Sequence, residues 1–481
     1  MQRLVLTAIL ISFVLTGFGQ QQNSEIDKKD LKRIVKILAA DSLEGRGIGT
    51  EGQKKAERFI SDTFKELGLN TFSESSYLEE FEVKQKYWGE VYIETPNAKL
   101  TNFENMVFQG NDVQNEEIEK EVVFGGMGTD EELNKIEVAD RFVLIFIDNL
   151  RAGIKYKKKL AKRNAFGVIL ANPENDKQFE SIRLTLKSHY LAKRHSLPRE
   201  NRTKSKIAEW DTIQYVNGIL IPNSQVKNIS GLSINQLNRL IEQNKIEDAP
   251  KIKVKAKFEK IENTIKTANV VGLLTGKTDK TIVISAHYDH LGKIGDRFFA
   301  GADDNASGTA ALLELAERFS KARNLNYNIM FLATSAEEAG LLGSEYHVNK
   351  HSFNPEKIIC NINIDMISRK DDKHFGNKYL YCIGSDQSKA LNELMIKADN
   401  AYDKCEFDYS LNDSSDPLGL FTRSDNYNFY KKGIPAIFFH SGIHKDYHKT
   451  TDTANKINYR NLEHRVKLIS QVVELLESDG L

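Results

Sequence analysis

The sequence predicts an α/β protein built on a mixed, mostly parallel sheet covered by helices on both faces, with a small β-rich domain inserted ahead of most of that sheet. Three observations carry this. From Thr267 onward short apolar runs such as "TIVISAHYD", "NYNIMFLATS", "IICNINIDMI" and "GIPAIFFH" alternate with amphipathic stretches such as "GTAALLELAERFSKA", the pattern of doubly buried strands joined by helices. Upstream, the charged stretch "NDVQNEEIEKE" leads into the compact β-type runs "EVVFGG", "RFVLIFID" and "FGVILAN". The chain has 481 residues, more than one hydrophobic core usually serves.

Taken in order, residues 1–19 read as a secretory signal peptide: Arg3 precedes an apolar stretch from Leu4 to Leu15, followed by Gly17 and Gly19. The stretch is shorter than the ~20 residues of a spanning helix. A secreted or periplasmic protein without stable membrane insertion is therefore expected, and since no Cys follows the apolar stretch, no lipid anchor is expected either. Residues 20–110 form the amino-terminal part of the main domain. They hold two helical segments, with Leu31, Ile34, Val35 and Leu38 on one face and Ala56, Phe59, Ile60 and Phe64 on another, and then short alternating edge strands over 77–107. Residues 111–262 are the inserted domain, which also contains the helical stretches "GIKYKKKLAKRNA" and "SINQLNRLIEQ". Residues 263–481 are the catalytic part.

Composition excludes several classes. With 40% hydrophobic and 28% charged residues and a formal net charge of zero, this is an ordinary globular protein with no global attraction to nucleic acid. The basic run 187–206, "KSHYLAKRHSLPRENRTKSK", has only Tyr190 as an interleaved aromatic and reads as a solvated loop. Cys360, Cys382 and Cys405 are too few for a disulfide framework, lack paired zinc spacing, and read as buried free thiols.

The chemistry collects where predicted strands end, the place where open α/β sheets put their sites. "ISAHYDHLG" supplies His287, Asp289 and His290, "FAGADDNASG" supplies Asp303 and Asp304, and "NINIDMIS" supplies Asp365. "FLATSAEEAG" supplies Glu337 and Glu338, and "HKDYHKTTDT" supplies His448 and Asp452. The adjacent glutamates are the sharpest signal. No Lys or Arg lies between Met330 and Tyr346 to neutralise them, and burial of an unpaired carboxylate is costly. A metal resolves this, and imidazoles with carboxylates and no thiolate suit zinc or another divalent ion.

The ordered segments "AHYDHLG", "GADDNASG", "SAEEAGLLGS", "NIDM" and "YHKTTDT" resemble the dinuclear zinc aminopeptidase family of clan MH, which also contains glutamate carboxypeptidase and the transferrin receptor ectodomain. "LAADSLEGRGIGTEGQKKAERFI" resembles the amino-terminal segment of its secreted members, and the insertion resembles their protease-associated domain. The resemblance implies the zinc exopeptidase fold and two Zn2+. His287 and Asp365 would hold one ion, Glu338 and His448 the other, and Asp304 would bridge them, with a cis peptide after Asp304. Two ions about 3.5–4 Å apart bring a shared water's pKa toward ~7. Glu337 would be the general base that takes the water's proton and returns it to the leaving amine, and Tyr447 would donate to the oxyanion. Asp289 would accept from the free N–H of His287, as outer carboxylates do, and Asp452 would act similarly near His448. Asn426 departs from the family pattern, which often has His there. Arg423 would bind a substrate carboxylate or a structural acid. The implied function is a secreted exopeptidase acting on peptides, most simply an aminopeptidase. The alternatives are a glutaminyl cyclase with one zinc and a catalytically silent binding ectodomain.

Overall fold

In the computed structural model of the protein the described residues are 25–73, 75–110, 112–191, 193–198, 215–294, 297–412 and 416–481. The expected signal peptide, 1–19, lies outside them. Among the described residues no helix is long and apolar enough to cross a membrane. The chain divides into two compact units, one comprising residues up to Phe81 and from Lys266 to Leu481, the other Glu82–Ile265.

Four parallel strands form the centre of the first unit. Thr281–His287 lies between Asn328–Thr334 and Ile358–Ile364, and the latter pairs in turn with Ala436–His440. Tyr379–Ile383 runs antiparallel beyond Ala436–His440, and Val270–Leu274 closes the other side antiparallel to Asn328–Thr334. The expected mixed, mostly parallel sheet is thus present. Its register matters for function: His287 pairs with Thr334 and Ile364 with Phe439, so four carboxyl ends finish at one level.

Helices cover both faces because their apolar residues recur at helical spacing. Lys28–Leu38 is capped by Asp27, whose side chain accepts from the Lys29 N–H, and it buries Leu31, Ile34, Val35 and Leu38. Glu51–Glu66 is capped by Thr50 and buries Ala56, Ile60 and Phe64. Tyr459–Asp479 buries Val466, Ile469, Val473 and Leu476. Cys360, Cys382 and Cys405 are buried and unpaired.

Helix Gly308–Ser320 carries a carboxylate into this packing. Glu314 is 5% exposed and accepts the Asp27 N–H at 3.2 Å; burial, the largest influence, pushes its carboxyl up from 4.5 to about 7. The unfolded chain therefore gives up this proton first, and stability falls as pH climbs from 4.5 to about 7, then levels. Glu314→Gln is expected to gain about 2–3 kcal/mol above pH 7 and nothing below pH 4. Thermal midpoints of both proteins across that range test this.

The second unit starts earlier than the boundary expected after residue 110. Strand Leu78–Thr95 runs unbroken for 18 residues in place of short alternating strands, and Val107–Gln109 pairs antiparallel with Asn217–Leu220 at the end of the strand order within this unit. The unit is also more than β-rich: Gln114–Phe124, Phe142–Phe146, Gly167–Ala171 and Asn217–Leu220 are parallel neighbours, which requires crossovers such as helix Ile154–Ala161. Phe108, Phe142 and Phe258 pack ring on ring in its core. The basic run expected as a loop from 187 supplies the end of helix Lys177–Leu191 and strand Arg194–Ser196; residues 199–206 of it lie outside the described residues.

Candidate active site

Each of the four level strand ends delivers a side chain to one cavity. His287 terminates its strand, Asp365 follows Ile364, Glu337 and Glu338 follow Thr334, and the chain leaving His440 reaches Tyr447 and His448. Asp304 comes from the turn before helix Gly308–Ser320, where the Asp304–Asn305 peptide is cis. These elements line a cleft that takes in Asp304, Glu337, Asp365, Tyr447 and His448 among others.

Asp304 sits at the centre. Its Oδ1 lies 3.4 Å from His287 Nε2, which is also 3.3 Å from Asp365 Oδ1. Its Oδ2 lies 3.1 Å from His448 Nε2, which is 3.2 Å from Glu338 Oε2. All five residues expected to bind metal therefore converge on two adjoining clusters that share one carboxylate. His290, noted in the sequence but given no role there, joins the second: its Nδ1 is 2.7 Å from Glu338 Oε1 and 3.8 Å from Asp304 Oδ2. Ligand atoms of His287, Asp304 and Asp365, and likewise of His290, Asp304 and Glu338, lie within 4.8 Å of one another.

Two features of the chain itself fit a divalent cation. His287 Nε2 and Asp365 Oδ1 are buried without a hydrogen-bond partner, an arrangement that costs free energy unless something coordinates them. The carboxylates are also crowded. Burial, then the charges of Glu338 and Asp365, raise the Glu337 carboxyl well above its ordinary value, with His287 pulling the other way. Burial disfavours the imidazolium of His448, yet its hydrogen bonds to Asp304 and Glu338 lift it to about 10. His287 behaves similarly, burial being outweighed by Glu337 and Asp365. A cation in place of these protons suits a nitrogen and oxygen donor set of this kind.

The surrounding network departs from expectation in two places. Asp289 does not chiefly serve the imidazole: His287 Nδ1 meets the Asp289 backbone oxygen at 3.2 Å, whereas its nearer carboxylate oxygen is 3.8 Å away. The carboxylate instead accepts the backbone N–H groups of Glu337 at 3.1 Å and Glu338 at 3.4 Å, fixing the turn that presents both glutamates. Asp452 likewise stands under the Asp304 turn and not beside His448, accepting the N–H groups of Asp303 and Asp304 at 3.0 and 3.1 Å. Unpaired N–H groups at such turns attract carboxylates regardless of where an imidazole lies. Asp303 is held to about 2; burial opposes ionisation, but hydrogen bonds from His444 and Ser368 prevail.

Other residues escaped the sequence reading. Asp425 is buried and accepts from the hydroxyls of Thr334 and Ser344, and Ser424 donates to Asp365 Oδ2 at 3.0 Å. Asn426 donates to the Phe421 carbonyl at 2.8 Å and belongs to neither cluster. Arg423 finds neither acid nor carboxylate among the described residues; it donates to the Tyr447 hydroxyl at 3.2 Å. Gly301 is required by contact: a Cβ there would lie 2.2 Å from the Asp304 carbonyl and 2.5 Å from the His290 ring.

Arg46, like Arg465, is among the largest fully buried side chains of the described residues. It donates to the carbonyls of Tyr288, Ala300, Gly301 and Leu38, tying the His287 strand end to the Asp304 turn; burial lowers it to about 10 against the pull of Asp304 and Asp289. Arg46→Met removes the guanidinium that serves the carbonyls of Tyr288, Leu38 and Ala300, while Gly301 keeps the Ala306 N–H. It is expected to destabilise the protein by about 3–5 kcal/mol, read as a lower unfolding midpoint in urea.

Residues 269–473 match the profile of peptidase family M28. The chain is 29% identical over 215 residues to aminopeptidase YwaD of Bacillus subtilis, covering 43% of this chain and 44% of that protein. It is 25% identical over 224 residues to a probable leucine aminopeptidase of Arthroderma otae, covering 44% and 59%. The chain thus spans about half the length of the curated relatives it matches. Among solved structures, the aminopeptidase from Aneurinibacillus sp. strain AM-1 aligns over 95% of each chain with a TM-score of 0.51 and 20% identity, a likeness of fold.

Proposed function

We propose that this chain, whose residues 269–473 match the profile of peptidase family M28, is a metal-dependent exopeptidase that removes residues from the amino ends of peptides. The observation that carries the reading is the double cluster around Asp304, with Glu337 beside it in the same cleft. His287, Asp304 and Asp365 would hold one Zn2+, and Asp304, Glu338 and His448 a second. Zinc bound there would supply a Lewis acid for the substrate carbonyl and would acidify water.

The chain's own residues account for the rest. Glu337, whose carboxyl is biased toward holding a proton and whose Oε2 lies 3.9 Å from His287 Nε2, takes a proton from the attacking water and passes it to the departing amine. Asp289 keeps its backbone still. Tyr447, steadied by Arg423 and stacked on His448 with ring centroids 3.8 Å apart, reaches the cleft with a hydroxyl that donates to the developing oxyanion. The carboxylates that line the cleft favour a free ammonium over a carboxylate at the substrate end, which supports the amino-terminal choice.

Export belongs to the same reading, supported by the basic and then apolar order of residues 1–19. So does the assignment of the Glu82–Ile265 unit as an inserted protease-associated domain, supported by its compactness and its own hydrophobic core. The test is hydrolysis of dipeptides with free and acetylated amino ends, before and after removal of metal with 1,10-phenanthroline. Cleavage of the free peptides alone, abolished by chelation and restored by zinc, is expected. Cleavage that survives chelation, or that ignores acetylation, would refute the reading.

A further inference from the structure

The cleft contains one histidine that neither holds metal nor handles the proton. His440 ends the strand Ala436–His440, is 3% exposed, and lines the cleft. Its Nδ1 lies 2.8 Å from the backbone oxygen of Asp365. A carbonyl only accepts, so Nδ1 carries the proton and Nε2 presents a lone pair. That Nε2 is buried and has no partner.

The walls beside it are apolar: Met366, Leu420, Phe438 and Ile443. Of the other polar groups in the cleft, Asp304 faces His287 and His448, and Arg423 donates to Tyr447; Asp365 Oδ1, the second unpartnered buried atom there, belongs to the metal cluster. An unsatisfied acceptor outside the metal cluster, in a cleft that also has apolar lining, discriminates by hydrogen bonding, because a ligand without a donor leaves that acceptor buried and unpaired.

We propose that His440 is a specificity-determining residue that selects substrates whose first residue carries a neutral hydrogen-bond donor, a hydroxyl or an amide, over apolar residues of the same shape. This rests on the exopeptidase reading, because it places the first side chain beside the metal cluster.

Threonine and valine differ by a hydroxyl in place of a methyl and so isolate the effect. With threonyl and valyl 4-nitroanilides, the wild-type ratio of kcat/KM is expected to favour threonine tenfold or more. In His440→Phe the ratio falls to about one or below, whereas His440→Gln, which keeps an acceptor, retains part of it. Zinc content of each variant is measured on the same sample and is expected to match wild type. A wild-type ratio near one, a ratio that His440→Phe leaves unchanged, or zinc lost from His440→Phe would overturn the proposal. If neither anilide is cleaved, the exopeptidase reading fails by itself. The assignment of His440 is then decided by calorimetry with free threonine and valine on the zinc-loaded protein: tenfold tighter threonine supports it, and equal affinities overturn it.

Discussion

Glu337→Gln is expected to lower kcat by about three orders of magnitude, within the ~10²–10⁴ that a positioned acid or base contributes, while metal content stays at the wild-type level. The amide has nearly the volume and hydrogen-bonding shape of the acid but accepts no proton at neutral pH. Glu337 belongs to neither ligand cluster, and its backbone is held by Asp289 whatever its side chain. The fold and the ions should therefore survive the change. Turnover of a free dipeptide, with zinc measured by mass spectrometry on the same sample, separates the outcomes. Near-normal turnover would remove Glu337 from its role, and lost zinc would make it a ligand.

Asp304→Asn is expected to abolish both metal binding and activity. One carboxylate oxygen faces His287 and the other faces His448, so both clusters lose a charged ligand at once. The loss should exceed the ~10–100-fold in metal affinity that changes to outer partners produce. Asp289→Asn supplies that comparison, since Asp289 acts on the glutamate turn through backbone N–H groups. In the metal-free protein the Asp304 charge holds the imidazoliums of His287 and His448, so Asp304→Asn should unfold somewhat earlier than metal-free wild type and, unlike it, gain nothing from added zinc. Titration with zinc and thermal unfolding with and without it read both effects.

The site was legible in the sequence to the extent that its signals are local. His287, Asp365 and the two glutamates each stand at the end of an apolar run, and a charged residue there announces itself. Asp304, next to Asp303, needed the family resemblance, and the structure puts it between the imidazoles while Asp303 turns to Ser368 and His444. What escaped was carried by backbone atoms or distant partners. Asp289 and Asp452 are occupied by N–H groups, which leave no trace in a string of side chains. Arg46 binds carbonyls as many as 255 residues away. His440 ends an apolar run as His287 does, and only its unpaired Nε2 inside the cleft marks it. The start of the second compact unit at Glu82 left no mark for a related reason: the strand Leu78–Thr95 shows no break in composition there.

The central claim is that Asp304 joins two cation sites inside one cleft. Crystals of the zinc-loaded protein, with anomalous maps recorded on both sides of the zinc edge, test it most directly. Two peaks are expected, one among His287, Asp304 and Asp365, the other among Asp304, Glu338 and His448. A map with no peak in the cleft, or with a single one at full loading, would contradict it.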